Sequence, residues 1–392
     1  MIGDTVAWLR ELVAFASVSS RSNLAIAEFI AERFRDVGAR VELMPDATGK
    51  KANVFATLGP DVDGGIVLSG HMDVVPVDDQ DWATDPFTLV EREGRLYGRG
   101  SCDMKGFIAA CLDLAPNFAE AATHRPVHFA FTYDEEVGCL GGQSLVNTLA
   151  GRPTRPSVAI IGEPTGMGII DGHKGCCEYS TRISGLAGHG STPARGVNAV
   201  EYAVRYVNRL LELAEALKQR APADSRFEPA WTTINVGALR GGVAHNVIPS
   251  VAEVDWEMRP VQSGDADYVK SELAEFIAST LLPEMRATHA DAKIETAVIG
   301  EVVGLEPVGN NEARAIVSAL TGQEHADTVP FSTEAGLFQS LGMSAVVCGP
   351  GYIDQAHKAD EFVDIDQLEQ CLAMLTSLTT FLRAPQQRKP VY

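Results

Sequence analysis

Three apolar runs constrain this chain more than any other feature, because each leads straight into residues that can hold a proton or a metal. Ile66-Val67-Leu68 runs into Gly70-His71-Met72-Asp73. Val127 to Tyr133 runs into Asp134-Glu135-Glu136, and Val158 to Ile161 into Gly162-Glu163-Pro164. Short apolar runs bounded by turn residues read as buried strands. Between and around them the spacing is helical: Val6, Leu9 and Val13, then Ile26, Phe29 and Ile30, then Met104 to Leu114, Ala313 to Leu320 and Ile365 to Leu382. Val41 to Leu43, Val54 to Thr57 and Ala345 to Cys348 add strands. Strands alternating with helices predict an α/β sheet with parallel character. Sites in such sheets lie at the carboxyl ends of strands, which is where these acids and His71 fall.

After about Cys177 the pattern changes. Tyr179 to Ile183, Thr232 to Val236 and Val251 to Arg259 read as strands, and Asn198 to Leu217 and Asp267 to Leu281 as amphipathic helices. This predicts a self-contained α+β unit at 178–291, inserted into an α/β domain made of 1–177 and 292–392.

The site chemistry follows from residue types. His71 and Asp73 are two apart, and on an extended backbone such residues point to one side. An imidazole that ligates Zn²⁺ needs a partner on its second nitrogen, and Asp73 can supply it. His71, Asp103, Glu136, Glu163 and His357 form a mixed nitrogen and oxygen donor set with no thiolate. That set suits Zn²⁺ or Co²⁺ at catalytic positions. Two histidines and three carboxylates suit two ions with one carboxylate bridging. Of the neighbours Glu135 and Glu136, one can ligate while the other takes a proton from water.

Composition removes several alternatives. The chain has 392 residues, 45% hydrophobic and 21% charged, as in folded globular proteins. A formal net charge of −20 disfavours nucleic acid and anionic membranes and is compatible with a cationic substrate. No apolar run reaches the roughly 18 residues of a membrane span. Met1 to Phe15 carries Asp4, Arg10 and Glu11 and does not read as a secretory signal. Seven cysteines with no CxxC pair point to a reducing cytoplasm rather than a disulfide framework. No GxGxxG or Walker loop supports a nucleotide enzyme.

Four blocks together resemble the signatures of the M20 family of metallopeptidases: Ser69 to Pro76, Gly98 to Gly106, Asp134 to Gly138 and Gly162 to Thr165. Within the family the chain is similar to the acetylornithine deacetylases. The resemblance covers essentially the whole chain and implies a di-zinc, aminopeptidase-like catalytic domain interrupted by a smaller lid or dimerisation domain. It implies that His71, Asp103 and Glu163 hold one Zn²⁺ and Asp103, Glu136 and His357 the other, with Co²⁺ as a substitute. Asp73 would orient His71, Glu135 would be the general acid/base, and a cis peptide would follow Asp103.

The resemblance extends to the insertion. Gly185 to Ser191 is similar to the family's Gly-His-Ser turn, apart from the extra Gly190 before Ser191. It implies that His189 reaches across a homodimer to steady the oxyanion. Ala244 to Pro249, with Asn246, and Met258-Arg259-Pro260 resemble segments that bind the substrate carboxylate, and an arginine fork suits that task. Phe331 to Gly336 is similar to a Ser-Thr-Glu-Ala segment of the deacetylases, which makes Glu334 a candidate partner for a substrate ammonium. The expected activity is removal of acetate from N2-acetyl-L-ornithine, in arginine biosynthesis. Alternatives are a succinyl-diaminopimelate desuccinylase, an aminoacylase, an acetyl-citrulline deacetylase or a glutamate carboxypeptidase. From another class, a catalytically silent metal-binding assembly protein is the alternative.

Overall fold

The structure, a computed structural model, describes residues 2–383. The outermost expected bounds, residue 1 and 384–392, lie outside the described residues. The chain divides into two compact units: Met1–Gly172 with Pro307–Asp327 and Thr333–Tyr392, and His173–Glu306 with Thr328–Ser332.

One sheet has eight strands, in the order Arg40–Pro45, Ala52–Leu58, Val127–Thr132, Ile66–His71, Val158–Pro164, Ser344–Gly349, Ile170–His173, Asp327–Val329. Ile66–His71 runs parallel to Val127–Thr132 and to Val158–Pro164, which in turn runs parallel to Ser344–Gly349. The three strands whose sequences lead into His71, Glu135 and Glu163 are therefore adjacent, and their carboxyl ends lie together. All six residues of Ile66–His71 and all seven of Val158–Pro164 are buried, which explains continuous apolar runs instead of alternation.

Phe129 and Phe131, two apart on one strand, face the same side. Phe129 packs on Phe34 of the Leu24–Asp36 helix at 4.4 Å between centroids, and on Phe118 of the Gly106–Ala121 helix at 5.6 Å. The Gly106–Ala121 helix approaches the sheet closely at Gly162. A side chain there would put its Cβ 2.0 Å from the Phe107 ring, so only glycine lets the helix and the strand carrying Glu163 pack.

The second unit is an antiparallel sheet in the order Thr233–Gly241, Val251–Arg259, Cys176–Ser184, Lys293–Val302, with the helices Ala199–Lys218 and Asp265–Phe276. Burial alternates along Val251–Arg259, as a one-sided sheet requires. Tyr179 stacks on Trp256 at 4.4 Å, and the Trp256 indole donates to Thr181 Oγ1 at 3.1 Å, so the ring is buried with its polar atom satisfied. Asn198 caps the longer helix, accepting from the backbone of Val200 and Glu201.

Against the expected insertion of 178–291, this unit runs from His173 to Glu306. The reason is Lys293–Val302, a fourth strand that pairs with Cys176–Ser184. It escapes a period-2 reading because it is largely exposed and its register shifts between Val298 and Gly300. No helix among the described residues is long and apolar enough to cross a membrane.

Candidate active site and metal centre

His71 ends its strand with both ring nitrogens engaged. Nδ1 lies 2.9 Å from the backbone carbonyl of Asp73, and Nε2 lies 2.9 Å from Asp103 Oδ1 and 3.7 Å from Glu163 Oε1. The other oxygen of Asp103 lies 3.5 Å from His357 Nε2, which is 3.0 Å from Glu136 Oε2. The five donors thus form a row, Glu163, His71, Asp103, His357, Glu136, with the Asp103 carboxylate between the two imidazoles. His71 and Asp103 are buried, whereas the His357 side chain is 54% exposed, so the row opens at that end. Asp103 sits in an irregular segment, followed by a cis peptide to Met104, as the resemblance implied.

Asp73 has partners beyond the imidazole. Its carboxylate is 3.6 Å from His71 Nδ1, and the hydrogen bond to the ring goes to its main-chain carbonyl instead. The carboxylate holds the next strand's turn. Oδ1 accepts from the backbone of Glu135 at 3.0 Å, and Oδ2 from the backbone of Glu136 at 3.4 Å and the Ser19 hydroxyl at 2.7 Å. Lys51 fixes the same turn through Asp134 and the Ser19 carbonyl, both at 2.5 Å. Ser19 and Lys51 carry no sequence signal, since their partners are 54 and 83 residues away.

The electrostatics are those of a cation site. Burial opposes charge on His71, but the carboxylates of Glu163 and Asp103 outweigh it and hold the imidazole well above its usual range. Burial likewise works against the Asp103 charge, yet hydrogen bonds from His357 and His71 hold it below the ordinary carboxylate range. The bonds to Asp103 and Glu136 raise His357 to about 10. Glu135 and Glu163 stand well above their usual value, first through burial and then through the neighbouring carboxylates. Burial, then the Asp103 charge, raises Glu136. Four carboxylates crowd two imidazoles, an excess of negative charge that cations would neutralise. His71, Asp103 and Glu136 bring donor atoms within 4.8 Å of one another, as do His71, Glu135 and Glu163. The donor set, nitrogen and oxygen without sulfur, fits Zn²⁺ or Co²⁺.

Glu334 is placed differently from its expected role. It is 1% exposed at the start of the Ala335–Ser340 helix, with Oε2 accepting from Ser69 at 3.3 Å. Oε1 is buried without a donor, in space left by Gly142, where an added Cβ would lie 2.6 Å away. Burial raises this carboxyl to about 7. The carboxylate expected as a partner for a substrate ammonium is thus packed inside, against Ser69 and Gly142.

In the inserted unit, His189 and Asn246 come together. Gly188–His189 pairs with Val247–Ile248, and the Gly190 amide donates to the Asn246 carbonyl at 2.8 Å. The His189 ring is exposed, with Nδ1 2.7 Å from Ser191 Oγ and accepting from the Ser191 amide at 3.2 Å. Because Nδ1 accepts, the neutral ring carries its proton on Nε2. The extra Gly190 therefore does not separate Ser191 from the histidine. Arg259 donates through Nε and Nη2 to Glu257 at 3.1 and 2.7 Å, so a substrate carboxylate would compete with that pair.

The model of the family described as Peptidase family M20/M25/M40 matches residues 67–380. An acetylornithine deacetylase of Shigella sonnei (strain Ss046) is 35% identical over 362 residues, 91% of each chain. An M20 family metallo-carboxypeptidase of Sulfolobus solfataricus superposes with a TM-score of 0.74 at 17% identity, over 97% of this chain and 99% of that one. A tripeptidase of Staphylococcus aureus gives 0.72 at 19%, over 98% and 99%. A Bacillus subtilis protein described as a dinuclear metal binding peptidase from the M20 family gives 0.63 at 15%, over 97% and 98%. These structures share the fold.

Proposed function

The chain belongs to peptidase family M20/M25/M40, metallohydrolases that act on amides, and on that premise we propose that it is a two-metal deacetylase that splits N2-acetyl-L-ornithine into ornithine and acetate. The observation that carries the metal reading is the Asp103 carboxylate between His71 and His357. The substrate reading is supported by the 35% identical acetylornithine deacetylase.

In this reading His71, Asp103 and Glu163 hold one ion, and Asp103, Glu136 and His357 the other. When bound, the ions supply a Lewis acid for the amide carbonyl and acidify a water near neutral pH. Glu135 takes a proton from that water on its carboxylate and delivers it to the leaving nitrogen. Asp73 sets where this carboxylate starts, since it grips the Glu135 and Glu136 amides. His189 of a second copy donates Nε2–H to the oxyanion. Arg259 and Asn246 receive the α-carboxylate, Arg259 in exchange for Glu257. Seven free cysteines support a reducing cytoplasmic setting.

The test is a hydrolysis screen with acetyl-ornithine, acetyl-methionine, acetyl-citrulline and succinyl-diaminopimelate. The highest kcat/KM is expected for acetyl-ornithine. Faster turnover of any other overturns the substrate and leaves the metal reading standing.

The homodimer has its own test. His189→Ala should lower kcat by about 10²–10³-fold, the usual worth of one oxyanion donor. Mixed with Glu135→Gln subunits, it should recover activity. In a two-fold dimer one of the two sites of each heterodimer is whole, so an equal mixture should reach about a quarter of the wild-type rate. No recovery in a preparation shown to contain heterodimers overturns the shared site.

A further inference from the structure

The segment that carries Asp103 has little regular structure to hold it. Asp103 and Met104 have φ/ψ of −121°/92° and −136°/36°, outside the helical region, so their neighbourhood gets few helical hydrogen bonds. Its amides are buried and need acceptors. Ser101 and Lys105 donate to the carbonyls of Gly98 and Gly100, and one side chain accepts from the amides of Gly100, Cys102 and Asp103. Glu361, 1% exposed, accepts on Oε1 from the backbone of Cys102 at 2.9 Å and of Asp103 at 3.0 Å. On Oε2 it accepts from the backbone of Gly100 at 3.0 Å and from Arg99 Nη1 at 2.7 Å. Each oxygen therefore faces two donors.

The contacts continue to the other loop. Arg99 Nη2 donates to Gln80 Oε1 at 2.5 Å, and Gln80 Nε2 donates to the main-chain carbonyl of His357 at 3.0 Å. The Arg99 guanidinium is kept in place by the Trp82 ring, 5.0 Å from its centroid. The Ala83 amide donates to Asp360 Oδ1 at 2.9 Å, a second tie to the same loop. Asp103 and His357, two of the three donors proposed for one ion, are thus joined through Glu361, Arg99 and Gln80. Neither Glu361 nor Gln80 offers an atom to the donor row.

We propose that Glu361 is a positioning residue: its carboxylate, through Arg99 and Gln80, fixes the Asp103 and His357 loops at the separation that the second ion requires. This rests on the two-metal reading above. The physical demand is for a group that only accepts. A glutamine at 361 keeps the shape, but its NH₂ would face two donors whichever way the amide turned. The Asp103 segment would then shift or leave buried amides unpaired.

The probe is Co²⁺ alone, titrated into metal-free protein by calorimetry and by its visible absorption. Wild type is expected to bind two ions. Glu361→Gln should bind the weaker ion about 10–100-fold less tightly, the usual effect of losing a group that orients ligands, with an altered Co²⁺ spectrum. Glu361→Asp keeps an acceptor-only group and should bind more tightly than Glu361→Gln. Gln80→Ala, at a partly exposed position, cuts the links to the His357 carbonyl, Arg99 and Trp82 but leaves the Glu361 carboxylate on the Asp103 segment, and should weaken that ion alone. It decides the matter if Glu361→Gln does not fold. If wild type binds two ions and the variants bind both with wild-type affinity and spectrum, this inference is overturned by itself. If wild type binds only one, the two-metal reading falls, and this inference with it.

Discussion

Glu135→Gln is expected to lower kcat by about 10²–10⁴-fold, the range for loss of a general base, with both ions retained. The substitution keeps side-chain volume and the backbone bond to Asp73 Oδ1, so the turn should stand. What it removes is the carboxylate that accepts from Cys139 Sγ at 3.3 Å and lies among Glu163, Glu136 and His71. The experiment decides between two neighbours, because the geometry allows either to ligate. Glu135 groups with His71 and Glu163, while Glu136 groups with His71 and Asp103. The short contact from Glu136 to His357 favours Glu136 as the ligand. If elemental analysis of Glu135→Gln shows metal lost, the two roles are exchanged.

Asp103→Ala should have a larger effect still. Among the described residues, it deletes the one group bonded or paired to both imidazoles. Neither ion then keeps its full donor set, and two histidines face Glu136 and Glu163 with no shared carboxylate. Metal content should fall from two ions to none at concentrations that saturate wild type. Activity should fall by about 10⁴-fold or more, since removing a member on which a catalytic unit depends costs nearly as much as removing the unit. His357→Ala is the contrast: it should empty one position and leave the ion held by His71, Asp103 and Glu163. Asp103→Ala protein that still carries two ions would show that Asp103 does not bridge. Thermal melting of both variants without metal separates loss of a ligand from loss of the fold.

Much of the donor row was legible from the residues. His71, Glu136 and Glu163 follow buried strands, and strand ends in a parallel sheet collect on one side. Donor chemistry and local periodicity are properties of short segments, so they survive without the fold. The α+β character of the insertion was legible for the same reason, through the alternation along Val251–Arg259. Its far boundary was not, because Lys293–Val302 is an edge strand whose exposed face carries no hydrophobic alternation.

By itself, then, the sequence determined the kinds of atoms that meet and the strands that deliver them. It could not determine which atoms touch. Asp103 lies between His71 and His357 because the Gly106–Ala121 helix packs down on Gly162 and the His357 loop folds back over Gln80. Asp73 grips the amides of Glu135 and Glu136 while standing 3.6 Å from the imidazole, and Glu334 lies buried against Ser69. Glu361 reaches Arg99 across 262 residues of chain. Side-chain period says which face a residue occupies. Strand order, helix approach and the need of buried amides for acceptors decide what waits on that face, and those are set only when the whole chain is folded.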